Sequence, residues 1–427
     1  MISIHSLKSK AKAMSEMSNF WAPFAVAGVL SAIWFFKVQP MASFMWSDMA
    51  TYMGLASNIR REFFPLRDTF YPPGYSLLNV FILNAGLDSL TLMPLLHWIS
   101  FLLGIALTTA SCRRIYGGRV AYVCAWILAL HFPFYSAFSY FMPECFFFLI
   151  LSGLFFMTAR PLARISQRRW LGIGLLLGVA LWFKGLAVYS APLWCLAISG
   201  GTKPVSTKLK NCICLTLGFG VALLALGFFY RSMYHVRRYV PANGALNFVE
   251  GKCPSKRNHD SEGYWFHSPL NAQLERNTTK YWDAPFYDDA YYWRQGWKCV
   301  KNEPSLIFTE LKEIYYLFFE NVIWPGDAAP YAPLTRFTCA FFSSAFWCIL
   351  AIALFLLRSK FLDLLHHSVV VPVGGLFISV WFTHSEMRYR VPFDGFLIAL
   401  VSACLVLGIA RARSIQAQRR NHPRKPL

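Results

Sequence analysis

Apolar residues gather along this chain in blocks of about 17–24, the length a helix needs to cross about 30 Å of hydrocarbon. The blocks predict ten spans: Phe20–Val38, Met93–Ser111, Arg119–Phe134, Phe138–Thr158, Trp170–Leu186, Ala187–Ser199, Cys212–Tyr230, Leu334–Leu357, His367–Thr383 and Val391–Ala410. The sixth is short for a crossing. A further apolar run, Tyr75–Leu87, has too few residues to cross and is expected to lie along the interface or enter it partway. Two polar segments separate these blocks. One, 39–92, holds a helical stretch over Asp48–Glu62 and a turn at Tyr71-Pro72-Pro73-Gly74. The other, 231–333, is rich in turns and aromatics and closes on an amphipathic stretch, Ser305–Val322.

This pattern predicts an all-α polytopic integral membrane protein. Its expected organisation is a transmembrane module over 1–230, with a first external loop at 39–92. A long external loop at 231–333, C-terminal transmembrane helices over 334–410 and a basic tail at 411–427 complete it. Composition agrees: 56% of the 427 residues are hydrophobic and 15% charged, and the mean hydropathy is +0.40.

The net charge of +20 raises the question of nucleic acid, and its distribution answers it. Alternate connections counted from the N-terminus carry 21 of the 41 Lys and Arg against two acids, Glu16 and Asp363. Short basic connections stay cytoplasmic, so the excess reads as a topology signal facing anionic lipid, with no nucleic acid implied. Both termini are then cytoplasmic, and the basic N-terminus with its long apolar run reads as an uncleaved anchor. The expected location is a bacterial inner membrane, or the endoplasmic reticulum membrane in a eukaryote. Of 11 cysteines, Cys253 and Cys299 fall in the long external segment, where an oxidising compartment allows them to pair or leaves them as two thiols.

Ionisable groups near span ends are costly and so are functional candidates. On the external side these are Asp48, Asp68, Glu144, Lys184 and the cluster His384-Ser385-Glu386-Met387-Arg388-Tyr389-Arg390. Asp48, in Trp46-Ser47-Asp48-Met49, follows the first span and would serve as a general base or as a helix cap. Glu144 opens a span after Pro143, Lys184 closes another beside Gly185, and Arg388 enters the last. Asp68 reads as an ordinary loop carboxylate and Arg390 as an interfacial anchor. Tyr71 and Tyr75 flank the paired prolines, where they would line a sugar pocket or simply fix a turn. His384 and Glu386 offer only a sparse ligand pair, and the metal requirement stays open.

The order of these motifs resembles the GT-C superfamily of membrane glycosyltransferases, particularly the protein O-mannosyltransferase and lipid A aminoarabinose transferase branch (family 39-like). The motifs are an Asp after the first span, Tyr71-Pro72-Pro73-Gly74-Tyr75, Met142-Pro143-Glu144, Trp182-Phe183-Lys184-Gly185 and Arg388-Tyr389-Arg390-Val391-Pro392. The resemblance covers about residues 15–230 and the Arg-Tyr-Arg motif. It implies that Asp48 is the general base or acceptor-orienting acid, and that Glu144 helps hold the acceptor or a metal. It also implies that Lys184 and Arg388 hold the phosphate of a polyprenyl-phosphate sugar. Apart from the resemblance, Tyr71, Tyr75, His384, Glu386 and Tyr389 are candidates for a sugar or acceptor pocket. Two departures leave the sugar and the metal open: Met49 stands where the family often has Glu, and Tyr71 stands where aminoarabinose relatives have Lys. The expected activity is sugar transfer from a polyprenyl-phosphate donor to a hydroxyl of a lipid, glycan or protein on the external face. A transporter of lipid-linked sugars and a non-catalytic envelope scaffold are the alternatives.

Overall fold

The computed structural model describes residues 21–45, 48–253, 288–307, 311–319, 332–383 and 387–421. Over these residues the fold is all-helical, and the chain is a multi-pass membrane protein. Helix α1 (Trp21–Ser43) is followed by α2 (Asp48–Arg60), α3 (Gly74–Asn84), α4 (Ser89–Tyr116), α5 (Gly118–Leu130), α6 (Phe132–Phe138) and α7 (Glu144–Thr158). Then come α8 (Gln167–Phe183), α9 (Ser190–Gly200), α10 (Val205–Tyr234), α11 (Asn243–Lys252), α12 (Asp289–Asn302) and α13 (Leu311–Phe319). The last four are α14 (Ala332–Leu357), α15 (His367–Phe382), α16 (Met387–Arg390) and α17 (Asp394–Asn421).

Among the described residues five helices are long and apolar enough to cross a membrane, with a sixth crossing if α5 and α6 form one bent span. The remaining expected spans fall on shorter apolar helices such as α7, α9 and α15, and on α8. The bend of 50° between α5 and α6 has a local cause. Pro133 lacks the N–H that would bond the Ala129 carbonyl, and its ring would strike that carbonyl in a straight helix. The Tyr135 hydroxyl donates to the Ala129 oxygen instead.

Outward surfaces are apolar where lipid would lie. On α10, Leu209, Ile213, Leu217, Val221, Leu224 and Phe228 recur every three or four residues and are all exposed, a stripe with no place in a water-soluble fold. The inward face of α10 is lined by small residues. A Cβ on Gly218 would lie 2.1 Å from the Leu171 carbonyl oxygen, and one on Gly174 of α8 would lie 1.9 Å from that of Leu215. The two helices therefore touch backbone to backbone, as small residues four apart permit.

A second close approach positions the site. A Cβ on Gly74 would come 2.5 Å from the Trp182 carbonyl oxygen, so the start of α3 sits directly against the end of α8. There α8 stops: Lys184 is extended (φ −149°) and a short 3-10 turn, Gly185–Tyr189, leads into α9. Over this corner pack α11 and α12, joined by the Cys253–Cys299 disulfide. Lys252 of α11 donates to the Trp381 carbonyl at the end of α15. Helix α13 accounts for part of the expected amphipathic stretch Ser305–Val322; residues 308–310 and 320–322 lie outside the described residues.

Candidate functional site

A cavity of about 840 Å³ opens at this corner. Its walls come from α2 (Asp48, Tyr52), the loop at Phe70–Pro72, the 3-10 turn after Lys184, α11 (Asn243, Asn247), Trp293 of α12, Thr383 and α16 (Arg388, Tyr389). Residues up to 340 positions apart meet there: Arg388 Nη1 lies 3.1 Å from Asp48 Oδ2. The other carboxylate oxygen, Oδ1, accepts from the Tyr71 hydroxyl at 2.7 Å. Asp48 is the first residue of α2, where the helix N-terminus also favours a negative charge.

The second ion pair joins Lys184 Nζ to Glu144 Oε1 at 2.7 Å. Both ends of this pair sit at helix ends for local reasons. Pro143 starts α7, leaving Glu144 in its first turn, and the break after Phe183 leaves Lys184 free of the α8 helical spiral. Tyr389 stands between the two pairs, its ring centroid 5.0 Å from Lys184 Nζ and 5.5 Å from Arg388 Cζ. Cations at that range gain from the ring's negative face. The result is two basic groups around one aromatic ring, each tied to a carboxylate, at the wall of one cavity.

Titration of the two nearby tyrosines is set by burial and then by Asp48. Both Tyr52 and Tyr71 are raised above the ordinary tyrosine range, by desolvation first and by the Asp48 charge next. Tyr71 therefore keeps its proton and acts as a neutral hydrogen-bond donor to the carboxylate.

The cavity gathers Asp48, Tyr71, Lys184, Arg388 and Tyr389 of the residues singled out from sequence. It does not gather all of them. Glu144 is buried and does not line it, reaching the site through its ion pair with Lys184. Tyr75 is also fully buried: with Gly74 pressed on Trp182, its side chain enters the core, where its hydroxyl meets His97 Nε2 at 3.1 Å. It is not a pocket residue. His384 and Glu386 lie outside the described residues, among which no group of three or more His, Cys, Asp or Glu converges as a metal cage would.

Arg390 corrects another expectation. Instead of anchoring at the interface it is fully buried, with Nε 3.0 Å from Asp394 Oδ1 and Nη1 2.7 Å from Ser343 Oγ. Asp394 Oδ2 in turn lies 2.8 Å from His131 Nε2. Asp68 is also no ordinary loop acid: it is buried, lines the cavity, and accepts from Asn58 Nδ2 at 2.9 Å. Sequence reading gave no role to the two asparagines of the neutral wall, whereas Trp293 belongs to the external aromatics that could stack on a sugar face. Asn243, Asn247 and Trp293 belong to helices within the long segment, and nothing in their spacing ties them to residues two hundred positions earlier.

No family profile and no curated protein matches this sequence. Among solved structures, the fold is similar to the Archaeoglobus fulgidus oligosaccharyltransferase tethered with an acceptor peptide, at a TM-score of 0.45 and 13% identity over 91% of this chain. The alignment covers 49% of that protein, so this chain spans about half its length. The fold is also similar to ArnT from Cupriavidus metallidurans in the apo state (TM-score 0.41, 15% identity, 92% of this chain and 78% of that one). The same enzyme bound to undecaprenyl phosphate aligns with a TM-score of 0.37 and 14% identity, over 94% of this chain and 81% of that one.

Proposed function

We propose that this chain is a GT-C-type membrane glycosyltransferase that moves a sugar from a polyprenyl-phosphate donor to an acceptor hydroxyl on the external face. The observation that carries the reading is the joint presence of Asp48, Lys184 and Arg388 on one cavity wall, where a carboxylate and two cations converge beside lipid-facing helices. A base and a phosphate cradle are the two parts such a transfer needs.

Asp48 takes the proton of the acceptor hydroxyl as its oxygen attacks the anomeric carbon. The carbon–oxygen bond to the donor phosphate breaks in the same displacement, and the electron pair leaves on the phosphate. Lys184 and Arg388 stabilise that growing negative charge in a site partly shielded from water. A guanidinium carries five N–H donors in a fixed fork suited to phosphate, and Arg388 Nη1 also donates to Asp48. Tyr71 holds the carboxylate in place without competing for the proton. Glu144 orients Lys184, and the neutral wall of Asn243, Asn247 and Trp293 faces the acceptor.

The experiment uses the purified full chain in nanodiscs with a labelled polyprenyl-phosphate sugar and a membrane extract as acceptor source. Asp48→Asn is expected to lower transfer by about 10²–10⁴-fold, the usual contribution of a general base, while donor retention persists. Lys184→Met and Arg388→Met are expected to lose donor retention. Unchanged transfer by Asp48→Asn removes Asp48 from the mechanism. A transporter would tolerate that change and still move the lipid-linked sugar across proteoliposomes.

A further inference from the structure

Helix α7 carries Glu144 at one end and a collar of arginines at the other. Arg114, in the last turn of α4, and Arg169, in the first turn of α8, each donate to the Phe156 carbonyl at 3.3 Å. Two nitrogens bonded to one oxygen are separated by no more than twice that distance. The Arg114 guanidinium also stacks 3.7 Å from the Phe156 ring centroid. Arg160, exposed in the turn after α7, is close enough to act electrostatically on both.

Three positive charges thus crowd one helix end. Among the described residues none of the three meets a carboxylate; the ion pairs all lie elsewhere. Arg169 Nε is buried with no hydrogen-bond partner. The α7 C-terminus supplies only about half a negative charge, against three whole positive ones. Such a cluster is stable in company with an anion that accepts several N–H bonds at once, and a phosphate matches the guanidinium fork.

The surroundings say which phosphate. Along α4, Leu107 and Leu103 lie two and three turns from Arg114 on the same face, Leu107 half-buried and Leu103 exposed. An apolar stripe runs from the cluster along the lipid-facing flank, which suits acyl chains and offers nothing to a free ion. We propose that Arg114, Arg160 and Arg169 bind the phosphodiester headgroup of an anionic phospholipid, with its chains laid against α4. The site sits at the opposite end of α7 from the cavity and does not depend on the transferase reading.

Native mass spectrometry of the detergent-purified full chain tests this, with phosphatidylglycerol and phosphatidylcholine of matched chains as probes. The wild-type chain is expected to retain phosphatidylglycerol preferentially. Arg114→Gln/Arg169→Gln should lower that preference on the order of tenfold, as removal of two headgroup-facing cations implies, and Arg114→Lys/Arg169→Lys should keep most of it. Arg160→Gln changes an exposed turn and gives a severalfold loss that remains readable if the double variant does not fold. Equal retention of both lipids overturns the proposal, as does an unchanged preference in Arg160→Gln. An equal loss in the distant pair Arg411→Gln/Arg413→Gln would mean diffuse charge attraction instead. Displacement of the bound lipid by millimolar inorganic phosphate would mark a free-anion site, which also overturns it.

Discussion

Glu144 and Lys184 pair at 2.7 Å with side-chain exposures of 2% and 12%, and that burial decides what a substitution does. Lys184→Met leaves a buried carboxylate without its cation. Removing one partner of a buried pair costs about 3–5 kcal/mol, so a clear drop in thermal stability is expected, and Lys184→Met/Glu144→Gln should recover most of it. Donor retention should stay lost in both, which separates stability from function; an equally unstable double variant would mean that the pair is not the cause. Tyr71→Phe tests a different contact. It removes one hydrogen bond to a charged group, worth about 1.5–3 kcal/mol, and transfer is expected to fall roughly tenfold or more. Because burial and Asp48 raise the Tyr71 proton affinity, Tyr71 should contribute no alkaline limb, and the wild type and Tyr71→Phe should share one high-pH profile up to about pH 10. Asp48, Lys184 and Arg388 were legible in the sequence because each stands at the edge of an apolar run. Arg390 was not: two residues along a helix turn a side chain through about 200°, and the motif Arg-Tyr-Arg does not say which arginine faces the cavity. The partner of Asp394, His131, lies 263 positions away, beyond the reach of any local pattern.

Elements show the same division. Long apolar runs gave α4, α10, α14 and α17 directly, and the half-length run after the paired prolines is α3. The expected span Arg119–Phe134 instead bends where Pro133 removes a backbone bond, and hydropathy averaged over a window is blind to that one missing donor. The α8–α10 contact was equally hidden, because a glycine in an apolar run reads only as a small residue until its neighbour is known. Gly218→Val is expected to prevent normal packing of α10 on α8, since the opposing Leu171 carbonyl belongs to a helix backbone and cannot move aside. Gly220→Ala on the same helix meets nothing within 4 Å and should be neutral or slightly stabilising. Size-exclusion profiles and melting temperatures of the two variants check the pair; equal behaviour would show that the close approach is not what holds these helices together.

At the scale of the whole molecule, the chain's two halves meet at one corner and a covalent link closes over it. Cys253 and Cys299 are 46 residues apart in sequence, and closing a loop of that length stabilises by about 4 kcal/mol in the chain-entropy account. Cys253→Ser/Cys299→Ser should lower the melting temperature and slow the acceptor-dependent step more than donor retention, because the link braces α11 and α12 with Asn243, Asn247 and Trp293. Disulfides of this kind form in oxidising compartments, so the external transfer proposed above expects this corner on that side of the membrane. Asp48 touches Arg388, so α2 and α16 share one face of the membrane with each other and with the bonded hairpin. A cysteine placed at Arg60, exposed at the end of α2, should react in intact cells with a membrane-impermeant thiol reagent. One placed at Arg413, exposed at the far end of α17, should react only after the membrane is opened. Cys253 and Cys299 should join the first class once reduced, and peptide mass spectrometry distinguishes them from the other nine cysteines. If the position at 60 is shielded while that at 413 is open, the cavity faces the cytosol and the external transfer proposed above has the wrong side of the membrane.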